Sequence, residues 1–249
     1  MKRFIFIPIL ALALLSACST TKVGGRTYNI LPLDIEREDF SIVAEDNYQE
    51  TMKTIVEPYL DSIRHIGTLS ALRDGHRIYY EYFDIIRKYS EIIYYFSQAG
   101  YDVYMIEHYG HGYSERRSDV QDNLSKVAVD DFDVYTEDVK QFVDQVVLPK
   151  AKDNPLILFG HSMGGGVATR FLEIYPDIFS YAILSSPMIG IEMGAVPEFV
   201  AKFLSSSANL FGRGDDYIFG HYDWDAIEAF SDPGCPATSY PRYKYFFEM

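Results

Sequence analysis

Cysteine is nearly missing from this chain: Cys18 and Cys235 are the two present among 249 residues. That is too few for a disulfide framework or for a zinc cluster built from cysteine. Tryptophan occurs once, against 21 tyrosines. Basic residues are also short, with 22 Lys and Arg against 36 Asp and Glu and a formal net charge of −14. Phosphates repel such a chain, so nucleic acid is excluded as a partner and the acidity reads as solubility. No internal repeat and no low-complexity tract is present. The Gly164-Gly165-Gly166 run lacks the Gly-Lys-Ser/Thr ending of a phosphate loop, which excludes that function. What remains is 48% apolar and 16% aromatic, enough for one large folded domain with a sizeable core.

The N-terminus, "MKRFIFIPILALALLSAC", places Lys2 and Arg3 before an apolar run from Phe4 to Leu15 and then small residues. The run is too short to cross a bilayer as a helix and has the layout of a secretory signal. Leu15-Ser16-Ala17-Cys18 resembles the lipobox of bacterial lipoproteins. The resemblance implies cleavage before Cys18, lipidation of Cys18, and no intramolecular partner for Cys235. Ser19 stands where an aspartate would retain such a protein in the inner membrane, which implies an outer-membrane address in the bacterial cell envelope. Residues 1–17 are thus expected to be a signal peptide and residues 18–30, with Gly24 and Gly25, a tether from membrane to domain.

Further on, strand and helix patterns alternate. "HRIYYEYFD" (76–84) predicts a strand. "RKYSEIIYYFSQAG" predicts a helix with Ile92, Tyr95, Phe96 and Ala99 on one face and Gly100 as its cap. "YDVYMIE" (101–107) predicts a short strand. The clearest helix is "DDFDVYTEDVKQFVDQVVL", with Phe132, Tyr135, Val139, Phe142 and Val146 on one face and carboxylates elsewhere. Asn154-Pro155 breaks the chain before "LILF", expected to be a buried strand. "VATRFLEIY" continues as a helix up to Pro176, and "SYAILSS" predicts another strand. Such alternation implies an α/β fold with a doubly wound, mostly parallel sheet. Residues 190–249 lose the alternation and are expected to form an inserted cap.

Gly160-His161-Ser162-Met163-Gly164 lies where an apolar strand gives way to a helix. It fits the Gly-x-Ser-x-Gly nucleophile elbow, in which a sharp turn lifts the serine oxygen above the strand end. Side chains at Gly160 and Gly164 are expected to clash in that turn. The helix N-terminus favours negative charge, and the backbone N–H of Met163 points where an oxyanion would form. Ser162 is therefore the candidate nucleophile and Met163 the candidate oxyanion donor.

"GYDVYMIEHYGHGYSERR", "LILFGHSMGGGVATRFLEIYPDIFSYAILSSPM" and "HYDWDAIEAFSD" resemble the α/β-hydrolase group of lysophospholipases and monoacylglycerol lipases. The resemblance implies a serine hydrolase of single-chain acyl esters that uses no cofactor and no metal, with residues 31–189 as its core. Glu107-His108-Tyr109-Gly110-His111-Gly112-Tyr113-Ser114 matches a loop that usually reads Asp-x-x-Gly-x-Gly-x-Ser, with glutamate for aspartate. That implies a structural role for the loop and for His108 and His111. Two features depart from the family. The His-Gly strand end that supplies a second oxyanion N–H has no match in "YFDIIRKYSEII". After Ser162 the sole histidine is His221, flanked by Asp215, Asp216, Asp223 and Asp225. A Ser162, Asp215 or Asp216, and His221 set has the family's chain order, but it falls in the cap-like stretch. The core is accordingly expected to be shortened after the cap. The alternative is a non-catalytic lipoprotein of the same fold that binds lipid or a partner.

Overall fold

The computed structural model describes residues 20–23, 26–29, 43–82, 89–123, 125–190 and 239–247. The chain divides into two units, Met1–Ile42 and Val43–Met249. In the first, β1 (Thr20–Val23) and β2 (Arg26–Asn29) pair antiparallel, with Val23 opposite Arg26. These strands occupy the stretch expected to be a tether. The signal for them is the Gly24-Gly25 pair, since two glycines between short strands suit a tight hairpin. Cys18 lies outside the described residues.

The second unit opens with a helical run that periodicity would have revealed: α1 (Tyr48–Thr51), a wider π segment (Met52–Val56) and α2 (Glu57–Ile63). Tyr48, Met52, Val56 and Leu60 recur every fourth residue and are all buried. Fully burying a side chain of this size contributes roughly 1.5–3 kcal/mol. They pack with Ile93 of α3 (Ser90–Gln98) and Tyr245 of α7 (Tyr240–Phe247). Arg242 of α7 seals this cluster. Its guanidinium donates to both carboxylate oxygens of Glu91, at 2.8 and 2.6 Å, and lies 4.8 Å from the centre of the Tyr48 ring. Tyr48 and Tyr95 hydroxyls donate to the same carboxylate at 2.9 and 2.5 Å.

β3 (His65–Ser70), β4 (Arg77–Tyr82) and β5 (Tyr104–Ile106) form an antiparallel sheet in that order. The short Ala71–His76 connection between β3 and β4 permits only antiparallel pairing. Parallel pairing, as the alternation predicts, joins β6 (Ile157–His161) to β7 (Tyr181–Ser185), with α6 (Met163–Ile174) as the crossover.

Between the sheets runs α4 (Asp133–Phe142), prolonged by a π segment (Val143–Val147) and α5 (Leu148–Ala151). It buries two faces where one was expected. Tyr135, Val139 and Val143 pack on Val167 and Phe171 of α6. Phe142, Val146 and Val147 pack on Leu69, Tyr80 and Tyr104 of the antiparallel sheet. Phe132 stays exposed, and the carboxylate of Asp138 is buried rather than solvated. Its Oδ2 meets His76 Nε2 at 2.9 Å, while His76 Nδ1 meets Asp74 at 2.5 Å. Burial pushes the Asp138 carboxyl up, and the bond to His76 opposes it. In α3 the fully buried positions are Ser90 and Ile93, one step round from the predicted face.

"LILF" is a strand, but not a buried one. Leu158 packs toward α6, whereas Ile157 and Phe159 on the opposite face are 38% and 36% exposed. Phe159 meets Phe96 of α3 edge-on at 6.0 Å. Among the described residues no helix is long and apolar enough to cross a membrane.

Candidate active site

Ser162 sits between β6 and α6 with φ 53° and ψ −122°. An L residue rarely adopts this backbone, and it persists only where its surroundings impose it. Three bonds do so from the carbonyl side: Ser162 C=O accepts from the N–H groups of Gly165 (2.9 Å), Gly166 (3.2 Å) and Met188 (2.9 Å). On the other side, Ser162 N–H donates to Ser185 C=O at 3.0 Å, extending the β6–β7 pairing by one step. The Ser162 side chain is exposed at the turn. Among the described residues, no side chain hydrogen-bonds to its oxygen.

Met163 is the first residue of α6, so its N–H has no intrahelical acceptor. Close approach governs the glycines, but not all those expected. A Cβ on Gly160 would lie 2.7 Å from Gly164 O and 2.9 Å from Gly165 Cα. A Cβ on Gly164 meets open space, so the expected clash there is absent. The tight positions are Gly165 and Gly166. Their Cβ atoms would lie 2.7 Å from Pro187 and 2.6 Å from Met188 O, respectively. The segment after β7 thus lies directly on the bare backbone of the first turn of α6.

His161 is held from the side. Its Nδ1 lies 3.0 Å from the Tyr89 hydroxyl, and the two rings meet edge-on at 5.9 Å. Burial pushes the Tyr89 phenol up, so at neutral pH it keeps its proton. This contact joins residues far apart in sequence and carries no motif.

The loop after β5 is built around Glu107. Its carboxylate accepts from Tyr113 N–H, and its carbonyl accepts from the Ser114 hydroxyl at 2.7 Å. Ser114 Oγ in turn accepts Tyr79 N–H at 2.8 Å, tying the loop to β4. Gly112 has φ +51°, and a Cβ there would lie 2.2 Å from the Glu107 carboxylate. The second glycine of the loop motif is therefore dictated by the acid at its start, and the structural role expected for this loop agrees with its geometry. His111 Nδ1 faces Tyr109 C=O at 3.1 Å. His108 packs on Tyr135, and its Nδ1 is buried with no hydrogen-bond partner among the described residues. Burial, with a smaller contribution from His111, pulls the His108 pKa down to about 4, so the ring is neutral at physiological pH.

The remaining candidates, His221 with Asp215, Asp216, Asp223 and Asp225, lie outside the described residues. So does the stretch after β4 in which a second oxyanion N–H would be sought. Among the described residues, no group of three His, Cys, Asp or Glu side chains is placed to hold a metal ion. Two surface clefts, one lined by Arg64, Tyr79 and Tyr113 and one by Arg73, Glu137 and Tyr175, do not border Ser162.

A strand, a strained serine and a helix, followed by a parallel return strand, give this unit the geometry of the nucleophile elbow of α/β hydrolases. Residues 82–214, over half of the chain, match the family model described as serine aminopeptidase, S33, and the chain belongs to that hydrolase family. It is 34% identical over 141 residues to lysophospholipase L2 of Escherichia coli K12, covering 56% of this chain and 40% of that protein. With the probable lysophospholipase L2 of Haemophilus influenzae it shares 32% identity over 133 residues, covering 53% and 40%. With the monoacylglycerol lipase of Mycolicibacterium smegmatis it shares 31% over 119 residues, covering 46% and 38%. The matched region spans about two fifths of the length of these curated relatives.

Proposed function

We propose that this protein is a serine hydrolase of single-chain acyl esters, a lysophospholipid or a monoacylglycerol, held at the bacterial outer membrane through lipidated Cys18. The observation that carries the proposal is Ser162: exposed, at φ 53°, on the N-terminus of α6. Identity to proteins named lysophospholipase L2 and monoacylglycerol lipase supports the substrate class.

Ser162 Oγ attacks the ester carbonyl carbon and gives up its proton to a base. The carbonyl oxygen takes the negative charge, and Met163 N–H donates to it. The intermediate collapses, the ester C–O bond breaks, and the leaving alcohol takes the proton. Water then hydrolyses the acyl–Ser162 ester and releases the fatty acid. His221, with Asp215 or Asp216, is assigned the base role by chain order.

The test is labelling by a fluorophosphonate probe together with fatty-acid release from lysophosphatidylcholine, monoacylglycerol and an aminoacyl anilide. Labelling and release from the two lipids, both lost in Ser162→Ala, are expected. Cleavage of the anilide alone would replace the lipid reading with a peptidase. Loss of labelling in His221→Ala places that histidine in the reaction, and retained labelling removes it. Incorporation of labelled palmitate, lost in Cys18→Ser together with membrane association, tests the anchor.

A further inference from the structure

Two glycines of the Gly164-Gly165-Gly166 run lie beyond the Gly-x-Ser-x-Gly pattern, and both face the chain that leaves β7. That chain, Ser186-Pro187-Met188, begins with Ser186 at φ 45°, a left-handed conformation that L residues seldom take. It then drops onto Gly165 and Gly166 at distances that a Cβ on either would violate. The turn lets Met188 N–H reach Ser162 C=O at 2.9 Å, across 26 residues of sequence. Ser162 is thereby tied to the same segment twice, through Ser185 C=O on its N–H and through Met188 N–H on its carbonyl.

The Ser162 carbonyl and the Met163 N–H belong to one peptide unit. That unit is planar and trans, so its C=O and N–H point in opposite directions and cannot be turned independently. Whatever fixes the carbonyl also aims the N–H. Donors on a carbonyl further polarise its amide and strengthen the N–H as a donor.

We propose that the Ser186–Met188 strap is a positioning element that aims the Met163 N–H at the oxyanion, and that Gly165 and Gly166 are bare so that the strap can lie there. The proposal rests on Ser162 being the nucleophile. Neither Met188 nor the glycines touch substrate in this role. They act through the 162–163 peptide plane.

The decisive variant replaces the Pro187–Met188 amide by a backbone ester, which removes the Met188 N–H and leaves every side chain in place. Gly166→Ala is the second variant, since its Cβ falls 2.6 Å from Met188 O and must push the strap away. Three quantities are read on the full chain: the second-order rate of fluorophosphonate labelling, kcat and KM on a p-nitrophenyl acyl ester, and the melting temperature. Removing an oxyanion donor outright costs about 10²–10³ in rate. Misaiming one is expected to lower labelling and kcat about 10- to 100-fold, with KM within about twofold. If Gly166→Ala does not fold, the ester variant decides alone. Wild-type labelling with an unchanged rate in the ester variant overturns the strap and leaves the hydrolase reading intact. A raised KM with unchanged kcat also overturns it. Absence of labelling in the wild type overturns the nucleophile assignment, and the strap's role falls with it.

Discussion

Ser162 and Glu91 are each ringed by hydrogen bonds, but the two rings are made of different material. Around Ser162 the partners are backbone groups: Gly165, Gly166 and Met188 on its carbonyl, Ser185 on its N–H. Around Glu91 they are side chains, the hydroxyls of Tyr48 and Tyr95 and the guanidinium of Arg242. The elbow therefore depends on side chains being absent, and the clasp depends on particular ones being present. The backbone ring around Ser162 contains no titrating group, whereas the clasp is centred on one.

The largest expected effect breaks the elbow by filling it. Gly160→Val puts a branched side chain where a Cβ alone would lie 2.7 Å from Gly164 O, and the contact is with backbone that cannot move aside. A loss of about 3 kcal/mol is expected in urea denaturation. Unchanged stability would mean that the approach at Gly160 is not close.

Next comes the clasp. Arg242→Ala leaves the largely buried Glu91 carboxylate without its cation. The expected cost is about 2 kcal/mol, below that of a fully buried pair because Arg242 is partly exposed. Arg242→Lys should restore only part of it, since an ammonium cannot grip both carboxylate oxygens. Burial works against the charge on Glu91, but Arg242, Tyr95 and Tyr48 outweigh it and hold its pKa below the ordinary glutamate range. A lowered folded pKa gives stability that is present above the unfolded pKa, about 4.3, and is lost as pH falls through the folded value. The melting temperatures of wild type and Arg242→Ala should therefore draw together as pH falls from about 4.3 and meet below the folded pKa of Glu91. A gap that persists there would mean the clasp acts by packing on Tyr48 rather than by charge.

The smallest effect sharpens the contrast among the glycines themselves. Gly164 lies in α6 with open space at its Cβ position. Gly164→Ala should stabilise the fold by about 0.5–1 kcal/mol, the usual helix penalty of glycine. A loss instead would show that Gly164 is as crowded as Gly160.

Much of the elbow was legible because its parts are neighbours in the chain. The apolar run, the glycine before the serine and the helix after it all fall within residues 156–174, and strand, strained turn and helix lie where the pattern puts them. The loop from Glu107 to Ser114 was legible for the same reason, since acid, glycines and hydroxyl close on one another within eight positions. The run from Tyr48 to Leu60 carried a four-residue period that announces a helix. The α4 face was harder. Its apolar residues cover two faces, and the carboxylate of Asp138 is buried because His76, 62 residues away, waits for it.

The sequence by itself determined that a serine would stand at a strand–helix junction with glycine before it, within a run of alternating strands and helices. Those features follow from short-range sterics and periodicity, which adjacent residues settle among themselves. Only the tertiary structure decided which glycines are tight, that Met188 returns to Ser162, and that Arg242 closes on Glu91 across 151 positions. These depend on where distant segments meet. Chain order contains no such distance, because loop closure lets many pairings compete and packing selects among them.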